Sequence, residues 1–168
     1  LFALGVAGYG ASTTGYSASL FHLFTHAFFK SLLFLGAGAL IHFVHTNEMR
    51  EMGGLQKFMP LTHITFLIAC LAIAGIPPFA GFFSKEEILM AAWENNRFVY
   101  FLGLITSGIT SYYMFRLYFN IFWNKTTNYS NHHGEGSWSL KAPMLLLAAA
   151  AIVAGFIPFT HFVALNAL

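Results

Sequence analysis

Three protonatable side chains lie four residues apart in an otherwise apolar stretch, FHLFTHAFFKSLLFL at residues 21–35. They are His22, His26 and Lys30. In an α-helix, successive members of such a series are rotated by only about 40° and separated by about 6 Å along the axis. The three would form one polar stripe about 12 Å long. A lysine charge at the centre of a bilayer costs roughly 2.5–3.5 kcal/mol, so such groups generally face a bundle interior or a hydrated cavity.

The chemistry that this stripe favours is proton transfer. Imidazole has an ordinary pKa of about 6.5, so either protonation state is accessible near neutral pH. The alternative is that the three side chains only form hydrogen bonds with neighbouring helices. For a single histidine we would prefer that alternative, but three groups in register favour a role in moving protons or ions.

A predicted helix break lies within AIAGIPPFAGFFSKEEIL at residues 72–89. Pro77 and Pro78 remove two backbone donors and clash with the preceding turn, and Gly75 and Gly81 flank them. The pattern predicts two half-helices with non-helical backbone between Gly75 and Gly81. In transporters, interrupted helices mark ion sites, because half-helix ends present partial charges and free carbonyls.

Lys85 follows this break by about two turns and is itself followed by Glu86 and Glu87. One interpretation is a lysine at the membrane boundary with ordinary flanking charges. The other is that Lys85 and the stripe on the preceding helix form a row along which a proton can hop. The neighbouring break favours the second interpretation, and we predict that Lys85 lies near the outer mouth of a hydrated path.

The elements that must position these groups are membrane helices. Of the 168 residues, 57% are hydrophobic, 8% are charged and 20 are phenylalanine, whereas a soluble domain has about 25% charged residues. Several runs approach or exceed the ~18–20 apolar residues that cross a bilayer. The composition predicts an all-α integral membrane protein, a polytopic transmembrane helix bundle with a Pro-broken helix.

Other kinds of ligand find little support in the sequence. A net charge of +2 is too small to indicate a nucleic-acid partner. The single cysteine, Cys70, lies in an apolar run without the spacing of a zinc or iron–sulfur site, and we interpret it as a buried filler. HHGEG at residues 132–136 is interpreted as a solvated loop. No metal and no cofactor is expected in this chain.

Polar loops divide the chain into five apolar segments. They cover residues 1–10 (a partial transmembrane helix), 16–45, 61–93 (the broken helix), 97–123 and 143–158. The lysines and arginines of the loops at residues 46–60 and 124–141 place both loops on the cytoplasmic or matrix side. Because the chain begins without methionine inside an apolar run, we expect a fragment of a longer protein, all of it within one proton-translocating membrane domain.

The segment at residues 97–123 carries a row of small side chains. Gly103, Ser107 and Ser111 follow one another at four-residue steps. Rows of this kind let a second helix approach closely, and packing is the interpretation that we favour.

Two long motifs closely resemble the antiporter-like membrane subunits of NADH–quinone oxidoreductase, respiratory complex I. They are LFHLFTHAFFKSLLFLGAGALIHFVHTNEMREMGGL at residues 20–55 and AGIPPFAGFFSKEEIL at residues 74–89, and the resemblance runs from about Ser17 to Pro158. Related subunits of the M type usually have glutamate at the position of Lys85, so the resemblance is to the L type, chain 5 in mitochondria. The large subunit of multisubunit Na⁺/H⁺ antiporters has a similar SKE motif and is the alternative.

The resemblance implies a core of fourteen helices that contains two inverted repeats of five, with this chain holding most of the second repeat and the helix after it. Lys85 would match the family's terminal lysine near the exit side. His22, His26 and Lys30 would match the connecting residues on the preceding helix. The implied function is proton translocation by a membrane subunit of an NADH:quinone oxidoreductase.

The same resemblance implies the cofactors and partners. Flavin, iron–sulfur clusters and quinone would belong to partner subunits, with none in this chain. The partners would be the other membrane-arm subunits of complex I, the lipid bilayer and protons, in the bacterial inner membrane or the mitochondrial inner membrane. Besides the Na⁺/H⁺ antiporter, a further alternative is a structural membrane subunit that conducts nothing.

Overall fold

The computed structural model describes residues 13–124 and 135–157. Within these ranges all regular structure is helical. The α-helices are α1 (Thr13–Val44), α2 (Pro60–Ala74), α3 (Ala80–Asn95), α4 (Arg97–Phe122) and α5 (Trp138–Val153), and short 3-10 turns lie at Met49–Glu51, Leu55–Lys57 and Ala154–Phe156. The partial helix predicted over residues 1–10 lies outside the described residues.

Among the described residues, three helical segments are long and apolar enough to cross a membrane. They are Gly15–Val44, Arg97–Phe122 and Trp138–Phe156. The helices α2 and α3 have 15 and 16 residues. At 1.5 Å per residue each rises only about 22–24 Å, which is short of the ~30 Å hydrocarbon core. Neither is long enough to cross alone, as expected of one interrupted segment.

Residues 75–79, between α2 and α3, are not helical. The break starts at Gly75, whose φ of 77° is in the left-handed region that glycine adopts without a steric penalty. The Gly75 N–H donates to Ala72 O at 3.1 Å and closes the end of α2. Pro77 and Pro78 then offer no N–H to the preceding turn, so the helix cannot continue.

The break ends just before the predicted position, because α3 starts at Ala80 and Gly81 lies in its first turn. This glycine is required for close approach and not for a turn. A Cβ built on Gly81 would lie 1.8 Å from Ala72 O. On another side, a Cβ on Gly155 would lie 2.7 Å from Ala80 Cα. The start of α3 therefore packs closely against the end of α2 on one side and against the turn Ala154–Phe156 on the other.

The central helix of the bundle is α1, which contacts α2, α3 and α5. Leu32, Ala69 and Met144 join α1, α2 and α5 in one buried apolar cluster. Phe66 and Phe122 belong to a second cluster, which joins α2 to α4. Lipid tails are as apolar as these side chains, so such clusters stabilise the bundle in a bilayer by close van der Waals packing.

The largest difference from the predicted segments concerns α5, which was expected at residues 143–158. It begins at Trp138, and Pro143 lies inside it. The first turn forms because the Leu140 N–H donates to Ser137 O at 3.0 Å and the Leu140 side chain packs against both apolar clusters. This packing outweighs the loss of one backbone donor at the proline. The described bounds of the other segments differ from prediction by at most three residues.

The N-terminus of α2 is capped from a distant part of the chain. Met59, the residue before Pro60, makes no side-chain cap. Instead, the Thr62 N–H donates to the Glu135 carboxylate. A carboxylate here satisfies a free helical N–H and interacts favourably with the helix dipole. The contact brings Glu135, which lies shortly before α5, next to the N-terminus of α2.

Replacing Glu135 by alanine is expected to destabilise the folded protein by roughly 0.5–2 kcal/mol, the usual effect of losing a helix cap. The measurement is the thermal unfolding midpoint of the detergent-solubilised protein. Glu48→Ala is the control, because Glu48 is exposed in the other loop. Equal midpoints for Glu135→Ala and Glu48→Ala would contradict the capping role.

Candidate functional site

Lys85 is held by a carbonyl group that the tandem prolines leave free. In a continuous helix, Ile73 O and Ala74 O would accept from the N–H groups of residues 77 and 78, which are prolines. The Lys85 ammonium donates to Ile73 O at 2.5 Å. The Ser111 hydroxyl can donate to Ala74 O at 3.2 Å or to Ser107 O at 3.0 Å. The break therefore creates acceptors within the membrane segment, and one of them binds the lysine.

The second partner of Lys85 comes from α4. The Lys85 ammonium also donates to Ser107 Oγ at 3.2 Å. The row of Gly103, Ser107 and Ser111 was interpreted as a packing surface, and Gly103 fits this, since a Cβ there would lie 3.2 Å from Leu89. The two serines do more than pack, because both form hydrogen bonds at the break. Only their four-residue spacing hinted at a common face.

His22 forms a polar contact between α1 and α3. Its Nδ1 lies 3.0 Å from Ser84 Oγ. Thr25 Oγ1 donates to the same Ser84 oxygen at 2.9 Å. Thr25 and Ser84 are fully buried. Sequence reasoning missed both hydroxyls, although Ser84 directly precedes Lys85 and Thr25 lies one turn after His22.

The two histidines of the stripe lie together on one side of α1. The ring centroids of His22 and His26 are 5.7 Å apart, and the His26 ring meets Phe29 edge-on at 5.2 Å. Both histidines are half-buried. Both line a cleft of about 510 Å³ that Lys85 and Ser107 also line. The structure thus brings His22, His26 and Lys85 to a common space.

Lys30 does not join this group in the described part of the chain. Its side chain is exposed, and it lines neither of the clefts next to Lys85. The reason is the helical geometry itself. Each four-residue step turns the stripe by about 40°, so Lys30 is rotated by about 80° from His22. The expected single stripe divides into two half-buried histidines and one exposed lysine.

Lys85 lies where two clefts meet. Besides the cleft of the histidines, it lines a second one of about 470 Å³, together with Ser107, Glu86 and Glu94. Glu86 and Glu94 are exposed. Lys85 thus lies between a histidine-lined cleft and a carboxylate-lined cleft.

The described residues include no group of three or more histidine, cysteine or acidic side chains that could hold a metal ion. The HHGEG loop lies mostly outside the described residues. Cys70 is fully buried next to the Met114 carbonyl oxygen, at 4.0 Å. Imidazole, ammonium and hydroxyl groups meet at the described site, and groups of these types can take part in acid–base exchange.

An α-helical bundle whose interrupted helix holds a lysine, with two histidines on the neighbouring helix, defines a polytopic membrane protein of the antiporter-like type. The chain belongs to the family described as NADH:quinone oxidoreductase/Mrp antiporter, TM, which matches residues 2–110.

Curated relatives carry the names expected from the motifs. The chain is 56% identical over 117 residues to the NAD(P)H-quinone oxidoreductase chain 5 of Picosynechococcus sp., covering 64% of this chain and 18% of the relative. It is 37% identical over 159 residues to the NADH-quinone oxidoreductase subunit L of Rickettsia felis, covering 93% of this chain and 25% of the relative. The chain thus spans about a quarter or less of the length of these relatives.

Solved structures share the fold. The chain superposes with a TM-score of 0.82 on a chain of the membrane-bound sulfane sulfur reductase, an archaeal respiratory membrane complex, at 29% identity over 88% of this chain and 25% of the other. It superposes with a TM-score of 0.81 on a chain of the Mrp complex from Dietzia sp., at 21% identity over 92% of this chain and 38% of the other. The Mrp likeness, at this identity, concerns the fold alone.

Proposed function

We propose that this chain is part of an L-type, proton-translocating membrane subunit of an NADH:quinone oxidoreductase. The observation that carries the proposal is Lys85, held at the helix break by Ile73 O and Ser107 Oγ and positioned between two clefts. Both of these hydrogen-bond partners are neutral. A lysine with neutral partners can gain or lose its proton without breaking an ion pair, which suits it to proton exchange.

In the proposed relay, protons pass between the histidines of α1 and Lys85 through water in the shared cleft. His26 and His22 adjoin each other, and His22 meets α3 at Ser84, the residue before Lys85. Lys30 is one turn from His26 on the exposed side. It would extend the relay toward whatever protein segment covers that face.

Redox chemistry would take place in other subunits. The curated relatives are named as chains or subunits of NADH- or NAD(P)H-quinone oxidoreductases. By the same resemblance, partner subunits would carry the flavin, the iron–sulfur clusters and the quinone, and this chain would carry none of them. The proposed location is a bacterial or mitochondrial inner membrane, to which the relatives named as chloroplastic add the chloroplast.

The alternative function is Na⁺/H⁺ exchange by a large antiporter subunit. It is favoured by the family description, which includes the Mrp antiporter, and by the fold shared with the Mrp complex. The names of the curated relatives favour the oxidoreductase. The two functions differ in what drives the proton: electron transfer from NADH in the first, a sodium gradient in the second.

The test uses the complete multisubunit complex in sealed vesicles with a pH-sensitive dye. Adding NADH and quinone is expected to produce a proton gradient in sodium-free buffer, and Lys85→Ala is expected to diminish it. Proton movement that requires a sodium gradient and ignores NADH would establish the antiporter instead. A gradient that is formed equally well by Lys85→Ala would show that this part of the chain conducts no protons.

A further inference from the structure

The Ser84 hydroxyl has more potential partners than it has protons. It is fully buried and lies between Thr25 Oγ1 at 2.9 Å, His22 Nδ1 at 3.0 Å and Gly81 O at 3.5 Å. Thr25 has a choice as well, because its hydroxyl also lies 3.2 Å from His22 O. The two hydroxyls carry two hydrogens between them. These can be arranged in two ways.

In the first arrangement His22 is neutral. Thr25 donates to Ser84, and Ser84 donates to Nδ1 of His22. The ring then carries its hydrogen on Nε2. In the second arrangement His22 is doubly protonated, and its Nδ1–H donates to Ser84. Ser84 then turns its hydrogen toward Gly81 O, while Thr25 donates to Ser84 or to His22 O.

Both hydroxyl hydrogens, and the hydrogen on Nδ1 where there is one, have an acceptor in each arrangement, and no heavy atom needs to move. This matters because the hydroxyls of Thr25 and Ser84 are buried, so bulk water cannot replace a missing partner. A buried donor or acceptor left without a partner is costly, and a charged one more so. Because Nδ1 has a partner in both charge states of His22, the ring can be protonated repeatedly without leaving Nδ1 or either hydroxyl unpaired.

We propose that Thr25 and Ser84 form a hydroxyl pair that positions His22 and lets its Nδ1 serve alternately as acceptor and donor. Nδ1 is thereby reserved for the pair, and Nε2 is the nitrogen available to the cleft that His26 and Lys85 also line. Thr25 acts on His22 through Ser84 and is a positioning residue. The inference rests on the proposed proton relay and assigns two residues to it.

A double-mutant cycle in the complete complex tests this order of action. Thr25→Val keeps the shape of the side chain without the hydroxyl and is expected to slow proton pumping about three- to tenfold, the effect of one hydrogen bond. Ser84→Ala is expected to slow it at least as much. The double variant should be no slower than Ser84→Ala alone, because Thr25 is linked to the His22 ring through Ser84, whereas its direct contact is with the backbone oxygen of His22.

Thr25→Ser is the matched control, since it restores the hydroxyl and removes only a methyl group. It is expected to pump within about twofold of the parent. Losses that multiply in the double variant, or a Thr25→Ser variant as slow as Thr25→Val, would show that Thr25 merely packs and would overturn the inference. Normal pumping by Lys85→Ala would instead remove the proposed function, so the two failures are distinguishable.

The state of the ring provides a measurement that does not depend on pumping. ¹⁵N NMR of histidine-labelled protein, with the His22 signal identified by its loss in His22→Gln, is expected to show neutral His22 with its hydrogen on Nε2. Thr25→Val should add a population with the hydrogen on Nδ1, and Thr25→Ser should not. Should Ser84→Ala not assemble, this spectrum decides the question. A neutral His22 ring with its hydrogen on Nδ1 instead of Nε2 in the parent protein would overturn the inference.

Discussion

Replacing Lys85 by alanine in the complete complex is expected to reduce proton pumping at least tenfold while the complex remains assembled. Lys85 lines both clefts, and its ammonium donates to Ile73 O at the carbonyl end of α2. Removing it leaves Ile73 O without that donor. It also removes the ammonium group that lies between the histidine-lined cleft and the carboxylate-lined cleft. Losses of tenfold or more are typical when a positioned proton-transfer group is removed.

Lys85→Arg distinguishes charge from proton exchange. Guanidinium keeps the positive charge but does not release its proton at working pH, so this variant should also be impaired. Lys57→Ala is the control, because Lys57 is exposed in the loop after α1. Dye-reported pumping and the rate of NADH oxidation are recorded together. Unchanged pumping and turnover in both Lys85 variants would mean that this lysine carries no protons.

The second large effect is expected at Gly81. In Gly81→Ala the new methyl group would lie 1.8 Å from Ala72 O, so the backbones of α2 and α3 must move apart. Overpacking of this kind costs typically 1–3 kcal/mol, and a contact with rigid backbone belongs at the upper end of that range. The same movement shifts the carbonyls that hold Lys85. We expect little assembled protein in the membrane, and low activity in what remains.

Gly38→Ala is the matched control for this prediction. Gly38 lies within α1, and a Cβ there would meet nothing within 4 Å. An alanine inside a helix is also intrinsically preferred over glycine. The amount of assembled protein and its thermal unfolding midpoint are compared in the two variants. A Gly81→Ala protein as abundant and stable as Gly38→Ala would show that α2 and α3 tolerate separation.

Much of the fold follows from local features of the sequence alone. Few charges and long apolar runs require membrane helices, because so much apolar surface cannot be covered in a water-soluble protein of this size and a chain in the bilayer must satisfy its own backbone hydrogen bonds. Pro77 and Pro78 require a break wherever they occur in a helix, because the missing N–H groups are a local property of the residue. The family motifs around Lys30 and Lys85 were equally local, and the comparison with relatives confirms the resemblance.

Which side chains meet was decided only by the tertiary structure. A helical stripe turns around the helix axis, so the exposure of Lys30 depends on which face of α1 the other helices cover. That face contains Thr25 and Phe29, whereas Lys30 is exposed. The start of α5 depends on Leu140 finding two apolar clusters. Ser107, Ser111 and Ser84 are ordinary small residues in the sequence, and nothing local distinguishes them from packing residues. They become partners of Lys85, of Ala74 O and of His22 because the fold brings helices that are distant in sequence within hydrogen-bonding distance. A hydrogen bond depends on distance and direction, and a pattern of residue types contains neither.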